Sequence, residues 1–188
     1  MSLSSQEAQA SLAEAEQARR RSAQLYGYQK ASPHLILWGI IWVIGYSGSA
    51  LIPNYDGYLW DGLIVLGILG SVYFGRRCQQ EVGGTKKGPY AWRAGAVGFI
   101  AVFFIMATYA IMWPVHGAQM AAYPALITGT IYAAVGLWLG LRYVVTGALV
   151  VTFTLFGYFD IHGVWYLYWM AAVGGGSMIL AGFWFRAA

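Results

Sequence analysis

The sequence predicts an all-α integral membrane protein: a bundle of six transmembrane helices in three hairpins, preceded by a cytoplasmic amphipathic helix. Composition predicts the membrane class. Apolar residues make up 59% of the 188 and charged residues 10%, against roughly 45–50% and about 25% in soluble domains. Leu, Ile, Val, Phe and Trp come in long blocks, from which no water-facing surface can be built. The placement of charge predicts the topology. Residues 75–93, GRRCQQEVGGTKKGPYAWR, hold Arg76, Arg77, Lys86, Lys87 and Arg93 between two apolar runs. Lys and Arg accumulate on the cytoplasmic face, so this stretch is expected to be a cytoplasmic loop that orients the rest.

Taken in order, residues 1–30 are expected to form the cytoplasmic N-terminal helix. Ser4 or Ser5 supplies an N-cap, followed by Ala, Glu, Gln, Leu and Arg, all good helix formers. Glu7, Glu14 and Glu16 precede Arg19, Arg20 and Arg21, the order that suits the helix dipole, and Glu16 is spaced to pair with Arg20. Its apolar stripe of Ala8, Leu12, Ala15 and Ala18 is thin, so the helix is expected to lie against lipid headgroups or to dock on a cytoplasmic protein partner. Pro33 is expected to separate it from the first span, because the residue before proline is pushed away from helical geometry.

Residues 31–188 then form the six-span domain, with spans near 34–52, 58–74, 94–113, 121–139, 143–159 and 164–184. Each is close to the roughly 20 residues that a hydrocarbon core requires. The turns between them carry Pro53, Asn54, Asp56 and Gly57, then Pro114 to Gly117, then Asp160 to Gly163. With six crossings, Arg19, Arg20, Arg21, Lys30, Arg76, Arg77, Lys86, Lys87, Arg93, Arg142 and Arg186 all fall on the inner side, leaving Asp56, Asp61 and Asp160 outside. This agreement supports a plasma (cell inner) membrane location with both termini cytoplasmic. Trp92 and Trp184 are expected at the inner interface, and Trp60, Trp113 and Trp165 at the outer.

The net charge of +4 is explained by this topology, so no nucleic-acid partner is expected. Cys78 is the sole cysteine and rules out a disulfide within the chain. HExxH, GxSxG and CxxCH are missing, and Pro89 and Tyr90 stand where a P-loop needs Lys and Ser or Thr, so neither an enzymatic activity nor a cofactor is expected. Mid-span positions carry no Asp, Glu, Lys, Arg or His, which argues against a proton-driven carrier. Hydroxyls at Ser47, Ser49, Tyr109, Thr128, Thr130, Tyr132, Thr152, Thr154 and Ser177 either line a pore or bond to their own helices.

Asp56, Asp61, His116, Asp160 and His162 gather near the outer turns and form the candidate site, an outer-face metal or pH sensor, with a divalent ion as its candidate ligand. His34 lies on the other face and is expected at the headgroups. Arg19, Arg20, Arg21, Arg76, Arg77, Lys86, Lys87 and Arg93 are the candidate contacts to lipid or partner. Gly129, Ala133, Gly136, Gly140, Gly174, Gly175 and Gly176 are the candidate points of close helix approach, within one chain or in a homo-oligomer. Two function classes follow. One is a regulatory or sensory membrane protein working through the N-terminal helix and the basic loop. The other is a small-solute or ion channel, facilitator or transporter subunit.

Overall fold

A computed structural model describes residues 5–81 and 91–187, and no strand occurs among them. Helix α1 (Ser5–Leu51) leads through a 3-10 turn (Pro53–Tyr55) into α2 (Asp56–Glu81), and α3 (Ala91–Ile111), α4 (Gly117–Leu139) and α5 (Leu141–Asp160) follow. A last rod comprises α6 (Val164–Trp169), a π-helical stretch (Met170–Gly175) and α7 (Gly176–Arg186). Among the described residues, five stretches are long and apolar enough to cross a membrane: Gln9–Leu51, Pro53–Arg77, Gly117–Leu139, Leu141–Asp160 and Val164–Arg186. The 21-residue α3 is a further apolar helix. Lys86 and Lys87 lie outside the described residues, as do the side chains of Cys78, Trp92 and Arg93.

The expected break at Pro33 does not occur, and α1 runs unbroken for 47 residues, about 70 Å at about 1.5 Å per residue. Proline removes one backbone hydrogen bond, but neighbouring helices can hold such a helix together. Here Ser32, which is 1% exposed, donates from its Oγ to the Gly182 carbonyl of α7 at 2.8 Å, beside the proline. Residues 9–26 are exposed along their whole length. Arg20 and Glu16 form the anticipated pair at 3.6 Å.

Helix α1 is the element on which the others assemble, with α2 on one side and the α6–α7 rod on the other, while α4 and α5 form a tight pair beside that rod. Each contact is made at glycine. A Cβ at Gly39 would lie 2.8 Å from the Gly175 carbonyl oxygen, and one at Gly175 would lie 2.8 Å from that of Gly39. Their backbones therefore meet directly, which is how helices associate where lipid provides no hydrophobic force. The π-helical stretch falls at the glycine run Gly174, Gly175 and Gly176. Of that run, Gly175 makes the contact, Gly174 only touches Trp42 and Gly176 faces open space.

In the α4–α5 pair, Gly129 and Gly136 pack against Val151 and Val144, and Ala133 receives Gly147. Gly140 is different. It is the single residue joining α4 to α5, with φ at 120°, a conformation open to glycine and rarely to other residues.

Below this junction lies an aromatic collar. Tyr28 stacks on Tyr143 with centroids 5.5 Å apart, and Phe185 meets both rings edge-on at 5.1 and 4.7 Å. The Arg142 guanidinium sits 5.4 Å from the Tyr28 ring and 5.1 Å from the Trp184 ring. Tyr143 Oη donates to the Gly27 carbonyl at 2.7 Å. Tyr143→Phe and Ser32→Ala each remove one interhelical hydrogen bond, and each is expected to cost about 0.6–1.7 kcal/mol, read as a lowered thermal midpoint in detergent.

Candidate ligand cavity

A cavity of about 1380 Å³ opens between α1, α2, α3, α4 and the turn before α6. On α1 it is lined by His34, Trp38, Trp42, Tyr46 and Ser49. These are spaced three or four residues apart, so they share one face over about 22 Å of helix. Opposite stand Trp60 and Ile64 of α2, Met106 and Tyr109 of α3, Thr128 and Tyr132 of α4, and Tyr158 and Tyr166. The walls are mainly aromatic, with hydroxyl and indole groups set among them. Deep apolar pockets with a few convergent polar groups are the usual form of small-molecule sites.

One wall is loosely closed. Helix α3 is tied to α4 near its C-terminal end, where Tyr109 Oη donates to the Met120 carbonyl at 2.9 Å and Tyr123 Oη to Thr108 Oγ1 at 3.1 Å. Among the described residues no helix packs closely along the rest of α3. Phe99, Phe103 and Met106 of α3, like Val65, Ile68 and Leu69 of α2, are exposed. In a bilayer the gap between α2 and α3 would face the acyl chains, a side entrance for a lipid-soluble molecule.

The candidate site residues divide. Asp56, Asp61 and His162 line one mouth of this cavity, whereas His116 and Asp160 do not. His116 lies at the start of α4, its backbone N–H donating to Gln119 Oε1 at 3.1 Å, and Asp160 ends α5, exposed. Among the described residues no three His, Cys, Asp or Glu side chains come close enough to hold a metal ion. At Asp56, Trp60 Nε1 donates to Ser49 Oγ at 3.0 Å, and Ser49 Oγ donates to the Asp56 carboxylate. The mouth thus has an ordered carboxylate and, at the exposed Asp61, a free-standing one. No Lys or Arg is among the described lining residues.

His34 lines the far end of the cavity, edge-on to the Phe74 ring with centroids 6.3 Å apart. Trp60 is turned inward, where its ring occupies the notch left by Gly45 and meets Tyr46 at 5.1 Å, while Trp113 and Trp165 remain exposed. The hydroxyls also divide. Thr154 and Ser177 bond back to the Val150 and Gly174 carbonyls of their own rods, and Ser49, Tyr109, Thr128 and Tyr132 line the cavity.

Sequence reasoning missed the aromatic face of α1, although the spacing of Trp38, Trp42 and Tyr46 was there to read. It also missed Tyr166. This residue is 2% exposed, it lines the cavity, and its buried hydroxyl has no hydrogen-bond partner among the described residues. Leaving a hydroxyl so costs about 1–3 kcal/mol, which makes it a place for a ligand or water to bond.

The fold defines the class: a multi-pass helical membrane protein with a cavity among its helices. Comparison with protein-family models, curated proteins and solved structures found no match, so function is argued from the site alone.

Proposed function

We propose that the protein is a membrane sensor or regulator: a lipid-soluble small molecule enters the cavity, and α1 carries its presence to a cytoplasmic partner that contacts the N-terminal segment and the basic loop. One observation carries this reading. The same unbroken helix presents His34, Trp38, Trp42, Tyr46 and Ser49 to the cavity and extends as the exposed segment 9–26. A ligand acts on such a system only through different affinities for two arrangements. Any tilt of α1 that improves contact with a ligand is transmitted along a rigid rod, so a small rotation in the membrane becomes a displacement of several ångströms at its tip.

A second reading, a facilitator or transporter subunit, is favoured by the reach of the cavity, whose lining extends from His34 to Asp56 and His162. The two readings separate by experiment. The double substitution Ile64→Trp and Thr128→Trp adds bulk to the cavity from two walls and mimics occupancy. In a Cys78→Ser background, an environment-sensitive fluorophore on Leu12→Cys is expected to shift its emission when these tryptophans are present. An unchanged emission, together with loss of solute flux in reconstituted vesicles, would favour the facilitator.

A further inference from the structure

The cavity is chemically one-sided, and this selects among the molecules that could occupy it. Its mouth carries the Asp56 and Asp61 carboxylates beside the one imidazole of His162, with no Lys or Arg among the described lining residues. Immediately inside, the Tyr46 and Trp60 rings meet edge-to-face at 5.1 Å, and Trp42 meets Tyr46 at 5.9 Å. Aromatic faces attract cations through their quadrupole, most strongly where water is excluded. A carboxylate beside a low-dielectric wall attracts a cation more strongly than it would in bulk water. The same groups repel an anion. Tyr166 adds a buried hydroxyl without a partner among the described residues, whose oxygen can accept a hydrogen bond from a protonated amine.

We infer that the cavity binds lipophilic cations, meaning an ammonium or related positive centre carried on an apolar or aromatic body, with the charge held between the aromatic rings and the two carboxylates. The inference rests on the proposed cavity-sensing role and names its ligand class. A cation of this kind partitions into the bilayer through its apolar body, reaches the gap between α2 and α3 from the side, and finds at Asp56 and Asp61 a counter-charge that the acyl region lacks. Aromatic surface supplies affinity, and the carboxylates supply the sign.

The test uses two ions of the same shape and opposite charge, tetraphenylphosphonium and tetraphenylborate, with quenching of the protein's tryptophan emission as the readout in detergent. Comparing each ion between wild type and variants removes its partition into micelles. Tetraphenylphosphonium is expected to bind wild type and to weaken about tenfold or more in the double variant Asp56→Asn and Asp61→Asn, while tetraphenylborate does not weaken. Because Asp56 accepts a hydrogen bond from Ser49, Asp61→Asn and Asp61→Lys serve as the second set, at an exposed position where the fold should be indifferent. The expected order of phosphonium affinity is wild type above Asn above Lys. Phosphonium binding that is equal in all variants, or weakened in step with borate binding, overturns the inference while leaving a cavity that binds apolar molecules. Binding of neither ion also overturns it, and the emission of the fluorophore at Leu12 then decides the sensing role separately.

Discussion

Replacing Gly147 by leucine is expected to destroy the α4–α5 pair, with little folded protein recovered. A Cβ at this position would overlap backbone atoms of the facing helix, the Gly129 carbonyl oxygen and the Ala133 nitrogen, and would stand 2.9 Å from the Ala133 Cα. Backbone cannot swing aside as the end of a flexible side chain can. The helices must separate, and the contacts of Gly129, Ala133 and Val150 are lost together. Overpacking a well-fitted interior typically costs about 1–3 kcal/mol and sometimes more; with backbone on both sides, a loss of about 3 kcal/mol or more is expected. The matched control is Gly62→Leu in α2, where nothing among the described residues lies within 4 Å and the change should stay within about 0.5 kcal/mol. Thermal midpoint and the monodisperse fraction on size exclusion in detergent provide the comparison. Equal behaviour of the two variants would mean that α4 and α5 do not meet at Gly147.

The second large effect concerns where the N-terminal segment ends. Removing residues 1–22, whose described part from residue 9 onward is exposed helix, is expected to leave the melting temperature unchanged, whereas removing residues 1–28 should lower stability by about 3–5 kcal/mol, as for loss of a core aromatic. The six residues between these cuts include Gly27, whose carbonyl accepts the Tyr143 hydroxyl, and Tyr28, 8% exposed and packed against Tyr143 and Phe185. The sequence places the boundary near residue 30, because Pro33 is the visible punctuation. In the fold the functional boundary is earlier, where α1 enters the collar. The shorter truncation is therefore the variant with which to ask whether a cytoplasmic partner needs the exposed segment. If both truncations melted alike, the collar would contribute nothing.

The sequence alone determined that this is a helical membrane protein and where most of its apolar helices fall, though not that the first of them continues through Pro33. Such features are local: an apolar block of suitable length, a proline and glycine in a turn, a cluster of arginines. The turns at Pro53 and Gly163 and the close approach at Gly129 and Gly136 were legible for that reason. The tertiary structure alone decided which side of each helix meets protein. In a soluble helix a polar face marks the exterior, but in lipid both faces are apolar, so periodicity does not distinguish a buried position from an exposed one. Gly147, Gly39 and Gly67 read no differently from Gly62, yet the first three hold helices together and the last faces open space. The continuity of α1 through Pro33, the inward turn of Trp60 and the cavity around Tyr166 likewise depend on neighbours far away in the chain. Which groups converge in space is settled by packing, and in a bilayer the pattern of apolar residues carries little record of it.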